Sequence, residues 1–338
     1  MIDLLVAGGG PAGLATALHG ARAGLEVVVV EPRSDSMDKA CGEGLMPHSV
    51  GQLERLGVQA QGRPFRGITY LDGHRHVSAQ FRSGTGLGVR RTALHAALLD
   101  AATAAGVRFV HNKVGELTQD AVSVRTGGLR ARYLAAADGL HSPIRRSLGL
   151  ALPCGGPRRW GIRRHLQVAP WTDYVEVHWG PGAEAYVTPV SEDCVSIAIL
   201  TSRRGGFDSH FAEFAALKDR VRGHPHGPDR AAGPLRQKVR SRRAGRVLLV
   251  GDAAGYVDAL TGEGLGLAFG AAELLVGCIV TDRAADYDRQ WRRMSRRYRM
   301  MTAGLLQASA YAPVRSCIVP AATALPNIFA GMVNQLAE

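Results

Sequence analysis

Apolar positions along the chain fall into two patterns. The runs in "DLLVAG", "EVVVVEP", "RYLAAADG" and "RVLLVGD" are apolar throughout, which marks buried strands. The stretch "PAGLATALHGARAG" between the first two is a small-residue helix, giving a strand–helix–strand unit. Residues 62–82 and 158–200 read differently. There, "YVEVHWG" and "EAYVTPVSEDCVSIAIL" are strands separated by Gly, Pro and Asp turns, which predicts an antiparallel sheet. "GVRRTALHAALLDAATAAGVRF" predicts an amphipathic helix with Leu94 and Leu98 inward, and the "SGTGLG" before it reads as a loop. Residues 207–233 read as a short helix and a loop. In "DYDRQWRRMSRRYRMMTAGLL", Trp291, Met294, Tyr298, Met301 and Leu305 form one inward stripe of a helix whose arginines face out.

The chemistry sits at the ends of the buried strands. Gly8, Gly10 and Gly13 occupy the three positions of G-x-G-x-x-G between strand and helix. The first permits the tight turn, the second close approach to a pyrophosphate, and the third close helix packing. The helix N-terminus offers free N–H groups and a partial positive charge. Glu31 closes the second strand, where a carboxylate can accept ribose hydroxyl protons. This unit predicts dinucleotide binding. Two further turns follow: Asp138-Gly139 with Ser142 and Arg145, then Gly251-Asp252 with Gly262-Glu263-Gly264 opening a helix near Leu265.

In this order the three motifs resemble the FAD-binding set of p-hydroxybenzoate hydroxylase-type flavoproteins, which include flavin monooxygenases and the geranylgeranyl reductase family. The resemblance spans most of the chain. It implies an α/β fold in which a Rossmann-like FAD-binding domain with a mixed sheet is interleaved with a smaller antiparallel β-sheet substrate domain and followed by C-terminal helices. The expected boundaries are 1–61, 87–152 and 244–290 for the FAD-binding domain, 62–86 and 153–243 for the substrate domain, and 291–338 for the helical segment. The resemblance implies FAD contacts at Gly8, Gly10, Ala12, Gly13, Glu31, Arg91, Asp138, Gly139, Asp252, Gly262, Gly264 and Leu265, with Arg90 the alternative to Arg91. No second dinucleotide unit is present. In this superfamily NAD(P)H docks transiently, so it remains the expected electron donor.

On the substrate side, "WGIRRHLQVAPW" places Arg163, Arg164 and His165 at the start of the second sheet. Alternation along the strand predicts ordinary exposed charges. The functional alternatives are an arginine such as Arg163 holding an anionic group and His165 relaying protons. Tyr186 and Pro189 stand where geranylgeranyl reductases carry an aromatic substrate motif, without that motif's Trp and Phe. "KACGEGLMP" resembles the Cys-Gly turn of the same branch. Cys41 has no adjacent His and only Lys39 as a near cation, so a packed turn residue is expected rather than a reacting thiol. The expected reaction is monooxygenation of a small hydrophobic or aromatic substrate. Reduction of C=C bonds in an isoprenoid or polyketide-like chain is the alternative, and a redox-inactive flavin-binding module the third reading.

Composition limits the partners. The net charge is +12, carried almost wholly by arginines, with no helix-turn-helix, zinc-finger or RNP pattern beside them, so nucleic acid is not expected. A basic surface leaves open an anionic ligand or peripheral contact with an acidic membrane. Five scattered cysteines without a CxxC pair predict neither a disulfide framework nor a metal site, and fit a cytoplasmic location. No transmembrane segment is expected, because the apolar stretches near the C-terminus are short and broken by proline.

Overall fold

The structure is a computed structural model and describes residues 1–33, 37–156 and 158–338. Among these, Ile2–Ala7, Val27–Val30, Arg108–Val110, Leu129–Ala136 and Val247–Leu249 form the parallel centre of an eight-stranded sheet. Ile2–Ala7 lies between Val27–Val30 and Leu129–Ala136, and its apolar side chains are buried. Antiparallel pairing of Arg243–Ala244 with the edge of Val247–Leu249, and of Val124–Thr126 with the start of Leu129–Ala136, makes the sheet mixed. The helix Pro11–Arg22 packs against Gly264–Val280 and Arg91–Ala104, bringing the N-terminal and late motifs together. The turn into that helix is built for glycine. Gly8 has φ +108°, and a Cβ on Gly13 would stand 1.9 Å from the Gly8 carbonyl oxygen.

The second sheet has seven strands, in the order Arg230–Ala232, Trp160–Leu166, Val195–Thr201, Ala183–Pro189, Tyr174–Trp179, Gly67–Leu71 and His76–Gln80. It is antiparallel except where Tyr174–Trp179 runs parallel to Gly67–Leu71. The purely antiparallel expectation fails there because those strands come from segments of the chain joined by a long crossover rather than a hairpin. The "SGTGLG" stretch is also not all loop. Gly86–Gly88 is a strand between Gly44–Leu45 and Arg63–Phe65, pressed so closely on the seven-stranded sheet that a Cβ on Gly88 would meet the Pro189 carbonyl oxygen at 1.8 Å.

The C-terminal helix is broken at Ser295 into Tyr287–Met294 and Arg296–Ala310. Trp291 is buried under the Arg242 guanidinium, 4.0 Å from its ring centroid, whereas Met294 is 39% exposed and leaves the expected stripe. Pro326–Ala337 then covers the edge strand His76–Gln80. Asn334 accepts from the Arg82 amide (2.7 Å) and donates to the Gln80 carbonyl (3.0 Å), blunting an edge that could otherwise pair with another chain. The fully buried Glu184 receives Arg159 and Arg315, each at 2.6 Å, and ties the C-terminal helices to the sheet. No single helix among the described residues is long and apolar enough to cross a membrane.

Candidate functional site

One cavity is lined from both sheets. Gly8, Gly10, Ala12, Arg91, Asp138, Gly139, Asp252, Gly262, Gly264 and Leu265 all line it. So do Cys41, Arg163 and Tyr186, together with an apolar wall that includes Phe65, Ile68, Tyr70, Val175, Val177 and Leu200. Gly13 and Glu31 do not line it. Gly13 lies behind, between strand and helix, and both Glu31 oxygens are engaged, with the Gly9 amide at 2.7 Å and Arg33 at 2.7 Å. His165 and Pro189 also lie behind the wall.

The acidic turns are fixed to one another by Arg145. Its buried guanidinium donates to the carbonyls of Leu140, Asp252 and Ala253 and to the Gln237 side chain. Asp138 Oδ2 accepts the Ile144 amide at 3.0 Å, while its Oδ1 is buried without a partner. The Asp252 carboxylate makes no hydrogen bond to the described residues and lines the cavity. Enclosure by the chain raises its pKa against the opposing pull of Arg91, Lys39 and Arg145. Lys39 lines the same region, its pKa lowered by burial and by Arg33 and Arg91.

The expectation that Arg163, Arg164 and His165 are exposed charges is overturned: all three are buried. The strand Trp160–Leu166 is covered on both faces. Arg164 is held by Asp208 (2.6 Å) and Asp229 (2.7 Å) and lies over the Phe207 ring. Arg163 pairs with Asp38, and His165 Nε2 lies 2.5 Å from Glu43 Oε2. Glu43 is the residue that motif reading missed. It sits in the left-handed region (φ 59°) inside the Gly42-Glu43-Gly44 turn, and its Oε1 accepts the Arg91 amide at 2.7 Å, capping the helix Arg91–Ala104. Burial works to raise its pKa, but His165, Arg163 and that amide outweigh it and hold the carboxyl below its usual range. The second Gly-Glu-Gly turn shares only the carboxylate–histidine contact, with Glu263 Oε2 3.0 Å from His48 Nε2, and there burial raises the carboxyl pKa. That recurrence of Gly-Glu-Gly was the available signal.

Residues 1–279 match the family model described as FAD binding domain. The chain belongs to that family. It is therefore an FAD-binding oxidoreductase of the flavoprotein monooxygenase and reductase group. Menaquinone reductase from Mycobacterium tuberculosis is 29% identical over 318 residues, covering 81% of this chain and 76% of the relative. A 3-(3-hydroxy-phenyl)propionate/3-hydroxycinnamic acid hydroxylase from Mycobacterium sp. (strain JLS) is 26% identical over 341 residues, covering 87% of this chain and 58% of the hydroxylase. The crystal structure of CmlS, a flavin-dependent halogenase, superposes with a TM-score of 0.80 at 21% identity, over 91% of this chain and 64% of that one. At that identity the likeness speaks for the fold.

The site of this flavoprotein fits FAD. The buried, partnerless Asp138 Oδ1 and Arg91 Nε both belong to residues that line the cavity, and Asp252 offers an unshared carboxylate beside them. Cys41 answers a separate question. Burial pushes its thiol pKa up, which favours the neutral thiol over the thiolate. Cys41→Ala is expected to keep its flavin and at least about half of its turnover, since only a small neutral side chain is lost. Turnover measured with FAD content held equal checks this, and abolished turnover at normal flavin content would contradict it.

Proposed function

We propose that this flavoprotein is an NAD(P)H-dependent monooxygenase that transfers one atom of O2 to a hydrophobic, electron-rich substrate of aromatic or olefinic type. One observation carries the reading: the cavity holding the glycine-and-acid turns continues into an apolar chamber whose carboxylate, Glu43, is committed to His165, Arg163 and the Arg91 amide. An electron-rich carbon attacked by activated oxygen needs dryness and alignment from the protein, and this wall supplies both. Reducing an isolated double bond also needs a proton delivered to carbon. Glu43 is held ionised, and Tyr186 directs its O–H to the Leu260 carbonyl at 2.8 Å.

In this reading Asp138, Arg91 and Asp252 hold the cofactor, and Gly8 and Gly10 let the backbone approach its phosphates. The N-terminus of Gly264–Val280, at the cavity wall, favours negative charge beside it. Bound FAD supplies hydride uptake from a nicotinamide donor and activation of O2. One oxygen atom goes to substrate and the other leaves as water, using two electrons and a proton from NAD(P)H and one proton from solvent.

The second reading is C=C reduction in a long apolar chain. It is favoured by the kinship with menaquinone reductase and by the protonated Cys41 thiol, the one neutral acid on the turn that lines the cavity. The two readings separate in one experiment. The FAD-loaded protein is given NADH or NADPH with alkylphenols and polyprenyl chains, under 18O2 and under anaerobic conditions. Incorporation of 18O into product is expected. Anaerobic turnover with loss of a double bond, abolished in Cys41→Ala, would replace the oxygenase by the reductase.

A further inference from the structure

We infer that the C-terminal helices dock this flavoprotein on an anionic phospholipid bilayer. Residues 316–337 contain no charged residue, yet much of the segment lies at the surface. Ala312–Ala324 and Pro326–Ala337 meet at 103°, an apolar elbow with Leu325 at its tip. Tyr311 is 64% exposed and Ile328 58%, with Leu325 and Met332 also exposed. Single exposed apolar side chains are ordinary, but a cluster on an elbow whose one charge, Arg315, is turned to Glu184 marks a surface that another phase covers.

Charge says which phase. Twelve residues separate the elbow from the run 289–299, which carries six arginines, all exposed. Arg289 and Arg292 pair with Asp286 and Asp288, while Arg293, Arg296 and Arg297 have no carboxylate within ion-pair reach among the described residues. A second copy of this chain, itself at +12, would meet those arginines with its own positive charge. Acidic lipid headgroups complement the arginines, and hydrocarbon complements the exposed apolar side chains of the elbow. The elbow is too sharply bent to span a bilayer and is suited to lying in its surface layer.

The geometry also gives the docking a use. On Pro326–Ala337, Ile328 and Met332 face outward while Val333 and Leu336 line the cavity. One helix therefore separates lipid from cavity, and an apolar substrate reaches the site from the bilayer instead of from water. Docking does not depend on which reaction the site performs.

The test uses the full-length, FAD-loaded protein floated with vesicles of equimolar phosphatidylcholine and phosphatidylglycerol, and with phosphatidylcholine alone. Wild type is expected to float with the mixed vesicles at low salt and about tenfold less with phosphatidylcholine. The double variants Ile328→Glu/Met332→Glu and Arg293→Glu/Arg297→Glu should each lose about tenfold in vesicle binding. Val122→Glu, a control at an exposed apolar residue elsewhere, should bind as wild type. Flavin absorbance and melting temperature establish that each variant is folded. The proposal is overturned if wild type fails to float with the mixed vesicles, or if either double variant floats as wild type does. A stable dimer in solution that Ile328→Glu/Met332→Glu converts to monomer would also overturn it, because the elbow would then bury itself on a second copy. No substrate enters this experiment, so its failure leaves the oxygenase reading standing.

Discussion

Asp252→Ala will purify as a folded protein that has lost its flavin. The carboxylate opens into the cavity without a protein hydrogen bond, and enclosure raises its pKa, so the empty protein gains nothing from keeping it. Its value is to a ligand with hydroxyl groups. Removing a charged hydrogen-bond acceptor costs about 1.5–3 kcal/mol, or about ten- to hundredfold in FAD retention. The protein without flavin should melt no lower than wild type stripped of its FAD. The ratio of visible flavin absorbance to protein absorbance reads the first effect and thermal unfolding the second. Flavin content equal to wild type would remove Asp252 from the cofactor site.

The largest loss of stability is expected from Glu43→Ala. The substitution strips a buried carboxylate from His165, Arg163 and the Arg91 amide, and leaves their N–H groups without that acceptor. Breaking a buried pair on one side costs about 3–5 kcal/mol, a large part of a domain's whole stability. Glu43→Gln keeps the shape and the helix cap but loses the charge, so it should fall between. The pH dependence has a definite sign. The Glu43 carboxyl titrates lower in the folded protein than in the unfolded chain, so its contribution is complete at neutral pH and fades as pH falls through the carboxylate range. Urea midpoints at pH 7 and at acid pH should therefore differ more for wild type than for Glu43→Gln. Identical midpoints for wild type and Glu43→Ala at pH 7 would show that the turn stands without its glutamate.

The two Gly-Glu-Gly turns mark the boundary of what a sequence reveals. That Gly8, Gly10, Asp138 and Asp252 line one cavity was legible because their placement follows from local backbone geometry: a strand ends, a turn needs glycine, a carboxylate faces what comes next. Glu43 was not, because its meaning lies in a histidine 122 residues further on. Arg163, Arg164 and His165 were misplaced for a related reason. Period-two alternation tells which side chains share a face of the sheet but not whether a loop and two short helices will cover it. The break at Ser295 belongs here too, since Met294 keeps the helical spacing but leaves the core. Glu31 shows the converse. Its position at the strand end was right, while its oxygens are taken by Gly9 and by Arg33, a neighbour whose competition no motif encodes.

The strand order of the first sheet also constrains how the protein is made. Ile2–Ala7 is made before either of its two neighbours, and one of them, Leu129–Ala136, is synthesised much later and waits in turn for Val247–Leu249. Until then the nascent chain carries bare valine-rich strands and no rim able to grip a cofactor. A product that stops before Val247–Leu249 lacks a central strand of this sheet and is expected to be a client of chaperones rather than a partial enzyme.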